Sequence, residues 1–161
     1  VFHEACVIGH AGIIKSLLNV KGLKVEARNP ANETGFYIAC RTGRKEAVDI
    51  MLASKKVNVN AVANGQVSPF LGACSEGHID VVKSLLKDSR VDVNKPTDDH
   101  VTPFFFSCVT GNEKILTELL ESGRLLVPQQ HFQIALELAK EGGHDSVVQI
   151  LQKIIQAQKK S

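Results

Sequence analysis

The chain has 161 residues, a formal net charge of +2, 43% hydrophobic and 22% charged residues, the proportions of an ordinary globular domain rather than of a disordered segment. So small a net charge gives no strong pull toward nucleic acid or an anionic membrane, and no apolar run approaches the roughly 18 residues that a spanning helix needs. The sequence starts at Val1 with no charged, apolar, cleavable leader and is expected to be a piece of a longer protein, while Lys159 and Lys160 are expected to be a solvated helix end.

In chain order, a first helix carries Phe2 and His3 and runs into EACVIGHAGIIKSLL, residues 4–18. The same pattern returns as IACRTGRKEAVDIML (38–52), GACSEGHIDVVKSLL (72–86) and FSCVTGNEKILTELL (106–120). LAKEGGHDSVVQILQ (138–152) follows after only 32 residues. Cysteines fall at 6, 40, 74 and 108, each 34 residues after the last, so they mark a repeat rather than a disulfide framework. Glycines recur at 9, 43, 77, 111 and 143, and apolar pairs at 17/18, 51/52, 85/86 and 119/120, with Leu151-Gln152 in that place in the last copy. Self-similarity at a fixed period predicts a stacked array in which each unit covers its neighbour's hydrophobic face.

Within a unit, Ser68-Pro69 and Thr102-Pro103 predict an N-cap followed by proline at the first helical position. The helix is short, because Gly77 or Gly111 arrives within about ten residues, and GHIDVVKSLL then starts a second helix with Val81, Val82, Leu85 and Leu86 at helical spacing. VNVNAVANGQVS (57–68) and VDVNKPTDDHVT (91–102) each offer a strand-like alternation and a turn-rich tip.

These residues resemble the ankyrin repeat, whose pattern includes Thr-Pro-Leu-His, Ala-Ala, Gly-His, Val-Val, Leu-Leu and Val-Asn; the match is clearest in SPFLGACSEGHIDVVKSLL followed by VDVN. A tetratricopeptide array has the same period but lacks the Gly-His break and the Val-Asn loop. The resemblance implies an all-α, ankyrin-type helical solenoid with short β-hairpin loops between helix pairs. It would form a single domain over residues 1–161 with repeats at roughly 1–33, 34–67, 68–101, 102–133 and 134–161.

Departures from the pattern carry their own expectations. One residue more than usual separates Leu-Leu from Val-Asn and should lengthen the second helix or its exit. Asn32, Gln66 and His100 stand where the tip glycine usually does; Asn and His tolerate a left-handed conformation, while Gln66 is expected to pass that role to Gly65. The histidine of Thr-Pro-Leu-His remains only as His3, being Tyr37, Leu71 and Phe105 elsewhere, so apolar packing should replace the hydrogen bonds it builds in the family. Upstream sequence is expected to cover the first unit, and Gln149, Gln152, Lys153 and Gln156 give the last helix the polar outer face of a cap.

Catalytic chemistry finds no support in the pattern. His10, His78 and His144 share one repeat position, and the cysteines stand where a small side chain allows close helix packing, whereas a nucleophile needs one unique cysteine beside a base. Equivalent atoms of stacked helices lie ~8–10 Å apart, beyond the ~7 Å between α-carbons that a disulfide spans, so four free thiols are expected. No phosphate loop, dinucleotide fingerprint or paired metal motif is present, and neither enzyme activity, a cofactor nor a small-molecule substrate is expected. Lys55, Lys56, Lys83, Lys87 and Arg90 are interspersed with Asp80, Asp88 and Asp92, which argues against a nucleic-acid stripe.

Candidate binding residues come from TPFFFSCVTGN, 102–112. At about 100° per residue, Phe104 shares a face with Cys108 while Phe106 lies about 200° away. The Phe106 position is Glu4, Ile38 and Gly72 in earlier copies, and that of Val109 is Val7, Arg41 and Ser75, variation expected of solvent-facing positions. By the resemblance, first helices and tips line a concave face where partners bind. Ile38, Phe106 and Val109, with Arg41 and Glu76, are expected to form a groove around the gap at Gly72, with Asp98, Asp99 and His100 at a tip. The expected function is a non-catalytic, monomeric, intracellular module that binds a protein or peptide. The alternative is the regulatory or targeting segment of a larger enzyme or channel.

Overall fold

A computed structural model describes residues 1–158; Lys159 and Lys160 lie outside them. The described residues form ten helices in five antiparallel pairs: α1 (Phe2–Ile8) with α2 (Ala11–Leu18), α3 (Gly35–Arg41) with α4 (Lys45–Ser54), α5 (Pro69–Ser75) with α6 (Ile79–Lys87), α7 (Pro103–Val109) with α8 (Glu113–Glu121), and α9 (Gln129–Glu141) with α10 (Asp145–Gln158). Odd-numbered helices stack on one another to form one layer, and even-numbered helices form the second.

Helices of seven residues, such as α3, α5 and α7, are too short to persist alone, so their caps and their neighbours hold them. Thr34, Ser68 and Thr102 each accept a hydrogen bond from the backbone N–H three residues on, at 3.2, 3.1 and 3.3 Å. Both Thr34 and Ser68 are buried, where an uncapped helix start would leave donors without water or partner. Phe36, Phe70 and Phe104 are each 1% exposed and form a ladder through the odd layer beside Ala39, Ala73 and Ser107. Val48 and Met51, Val81 and Leu85, and Ile115 and Leu119 line the even layer at helical spacing.

The loops correct one expectation. Among the described residues there is no sheet, only an isolated bridge between Arg28 and Thr34. Val57, Val59, Val91 and Val93 are buried while Asn58 and Asp92 are exposed, so the alternation reflects which side chains close the ends of the core and not pairing with a second strand. Each tip is closed by a backbone bond, Asn29 N–H to the Glu33 carbonyl, Ala63 to Val67 and Thr97 to Val101. Asn32, Gln66 and His100 all have φ near 60° (62, 57 and 61°). Gln66 therefore takes the left-handed conformation itself, with Gly65 beside it also left-handed at 70°. The extra residue is absorbed at the exits: α4 continues to Ser54 and ends on left-handed Lys55, whereas α6 stops at Lys87.

Polar side chains at 34-residue spacing join the units. Asn60 donates to the Arg90 carbonyl and accepts from Asp92 N–H (both 2.8 Å), and Asn94 does the same with Arg124 and Leu126 at 3.0 and 2.9 Å. His3 lies 2.9 Å from the Ala27 carbonyl of its own unit, while Tyr37 and Leu71 at the equivalent position are buried. At the far end Gln149, Gln152, Lys153 and Gln156 are exposed, as a polar cap requires.

Candidate protein-interaction face

The eight candidate residues divide into a packed group and an open one. Ile38 is 2% exposed, so its expected place on the surface is corrected: α3 is covered by α1 on one side and α5 on the other, and Gly35 to Cys40 are buried without interruption. The expected gap at Gly72 is narrowed by the preceding unit. A Cβ built on Gly72 would stand in ordinary contact, 3.5 Å from the Tyr37 ring and 3.6 Å from Arg41 Cβ, so Tyr37 of the preceding unit borders the space over Gly72 and leaves room there for no more than a small side chain.

Arg41, at the C-terminal end of α3, pairs with Glu33, Nη2 to Oε1 at 3.2 Å. Glu33 is itself positioned by Asn29, which donates to Oε2 at 2.8 Å and accepts from the Glu33 N–H at 2.9 Å. Burial pushes the Tyr37 phenol above its ordinary pKa; Arg41 opposes that rise, and Glu33 and Glu76 add to it. The phenol is thus a neutral group among three charges. Glu76 follows α5, is exposed, and takes part as a charge near Tyr37 rather than as the ion-pair partner of Arg41. Sequence reading missed Tyr37, Glu33 and Asn29; the available signal was a lone tyrosine where other units carry His3, Leu71 and Phe105.

The phenylalanine run resolves into three environments. Phe104 is buried and meets Phe105 and Phe132 edge to face at centroid distances of 5.5 and 5.3 Å. Phe105 is half-buried beside His131, 5.5 Å between centroids. Phe106 is half-buried, with part of its ring packed against the core of the first three units. Val109 is 48% exposed. Asp98, Asp99 and His100 are exposed at the third tip, which is tied to the second by Asp98 N–H donating to the Gly65 carbonyl at 3.0 Å.

The remaining chemistry is structural. Cys6, Cys40, Cys74 and Cys108 are buried free thiols, and burial pushes Cys6 and Cys108 up to about 12 and the other two higher. They stay protonated at neutral pH and are poor nucleophiles. A broad cleft between α4 and α6 is lined by Lys45, Asp49, Lys87 and Arg90, where Lys45 pairs with Asp49 and Arg90 with Asp88, so charges of both signs interleave. Among the described residues no helix is long and apolar enough to cross a membrane.

A search of curated proteins finds no match to the chain. A family model describing ankyrin repeats in three copies matches residues 2–97 and again 71–161. Repeats of this kind are in general protein–protein interaction modules without catalytic activity of their own. With the two matches together spanning residues 2–161 and the helix pairs stacked in register, the chain belongs to the ankyrin repeat family.

Proposed function

We propose that the protein is a non-catalytic binding domain that takes a protein or peptide partner across its first helices and loop tips. One observation carries this reading: half-exposed Phe105 and Phe106 and exposed Val109 lie on the same helix layer as the Arg41–Glu33 pair and Glu76, on a scaffold whose tips are fixed to one another. Apolar anchors flanked by charge are the composition of a protein-binding surface. The exposed acidic tip at Asp98 and Asp99 beside His100 extends that surface and suits a partner with basic side chains at its edge. The helix pairs serve as one monomeric domain, and the four free thiols fit a reducing intracellular compartment.

Quantitative affinity capture tests the reading with three folded baits: the wild type, an Arg41→Glu/Val109→Ser variant, and a Lys87→Glu control on the other layer. A partner held by the wild type and the control but lost at least tenfold by the face variant supports it. Retention by the face variant together with loss by the control moves the binding surface to the second helices and overturns it.

A further inference from the structure

Successive units are tied at both ends of their helix pairs, and the ties recur in register. At the exit end Lys56 donates to the Leu18 carbonyl, Arg90 to that of Leu52, and Arg124 to those of Leu86, Asp88 and Val91. At the turn end Arg44 Nε donates to the Val7 carbonyl at 2.7 Å. In the same place His78 Nε2 lies 2.9 Å from the Arg41 carbonyl and His144 Nε2 lies 2.7 Å from that of Val109.

The fourth unit breaks the series. Asn112 stands where Arg44, His78 and His144 do, but its side chain is shorter, and its Oδ1 turns inward to accept from Ile115 N–H at 3.1 Å. Among the described residues no side chain takes the corresponding carbonyl, that of Ser75. A Cβ on Gly43 would collide with the His78 ring at 2.5 Å, whereas one on Gly77 would find Asn112 no closer than 3.8 Å. An open cleft lined by Ser75, Glu76, Thr110 and Glu113 separates the two turns.

Packing divides nearby, within the fourth unit. One apolar cluster runs through the first three units and takes in Ile115 and Leu119; the other starts at Phe104 and Cys108 and runs through α9 and α10. Helix α5 also packs less extensively on α7 than α3 does on α5 or α1 on α3.

We infer that the junction between the third and fourth units is a hinge, pinned at its exit end by Arg124 and free at its turn end. The Lys83–Glu118 pair, 3.1 Å across the second helices, holds the pinned side, and the last two units swing against the first three about that edge. The motion changes the exposure of Phe106, which packs across the junction, so it couples the joint to the first-helix face.

Hydrogen exchange on the intact chain tests the hinge. Amides of residues 75–77 and 112–116, at the unclamped junction, are expected to exchange at least tenfold faster than those of residues 40–45 and 143–148, which make or receive the histidine and arginine clamps. Asn112→His and Asn112→Arg restore the two clamps seen elsewhere, and at least one of them, folded, should slow the local exchange by threefold or more while leaving the other junctions unchanged. His78→Asn should in turn speed exchange at residues 40–45. Equal exchange at all four turns, or two folded clamp-restoring variants that leave the local rate unaltered, overturns the inference.

Discussion

Helices α3 and α7 hold the same place in units two repeats apart, yet α3 buries every residue from Gly35 to Cys40 while α7 leaves Phe105 and Phe106 half-exposed and Val109 exposed. The difference comes from the neighbours. Gly35 receives Phe2 and Cys6 of the preceding unit, and Gly72 of the following unit meets the Tyr37 ring, so α3 is closed in from both sides. On α7 the residue in the place of Gly72 is Phe106, which fills its own space against the preceding core, and Phe105 is only half-buried beside His131 and the apolar cluster of the last two units. Exposure at a repeat position is therefore decided by the size of the complementary residue one unit away. Variation at the Ile38, Gly72 and Phe106 position records paired packing as well as contact with solvent.

Five substitutions sharpen or break that comparison. Phe104→Ala has the largest expected effect, a loss of roughly 3–5 kcal/mol in chemical denaturation, because a fully packed ring is replaced by a cavity. A loss under about 2 kcal/mol would mean that α7 is as loosely packed inside as it is outside.

Next come the two glycines. A methyl at Gly35 would stand 2.7 Å from the Phe2 ring and 2.9 Å from Cys6 Sγ, so Gly35→Ala should cost about 1–3 kcal/mol by overpacking. At Gly72 the nearest atoms are 3.5 Å away, an ordinary contact, and Gly72→Ala should be tolerated within about 0.5 kcal/mol. Equal costs for the two, measured by thermal unfolding, would remove the complementary-size account of α3.

Phe106→Ala should cost about 1 kcal/mol of stability, since full burial of such a ring contributes roughly 1.5–3 kcal/mol and Phe106 is only half-buried. Its effect on affinity should be at least as large, more than about 1 kcal/mol by titration calorimetry with the captured partner, if the ring is an anchor. A stability loss equal to that of Phe104→Ala with unchanged affinity would make Phe106 a core residue and nothing more. The smallest effect is at Val109, 48% exposed, where Val109→Ala should leave the melting temperature within the range of about 0.5 kcal/mol and act on binding alone. A larger destabilisation would show that α7 is covered where the comparison has it open.

The sequence by itself determined the repeat, its period, the helix starts at Ser68 and Thr102, and the apolar ladder of Phe36, Phe70 and Phe104, because these depend on local chemistry and on spacing along one chain. It also determined that the four cysteines are equivalent, and that Asn32 and His100 could turn the tips. Only the tertiary structure decided that Ile38 is buried, that Tyr37 borders the space over Gly72, that Glu33 pairs with Arg41, and that Asn112 leaves the Ser75 carbonyl without the clamp its equivalents supply. Apart from the Glu33–Arg41 pair, which joins a loop tip to the helix that follows it, each of these depends on contacts between residues about 30 to 40 positions apart, on the surface where one unit meets the next. A helical angle places a side chain on its own helix, but the neighbouring unit decides whether that side meets water, a ring or a carbonyl oxygen.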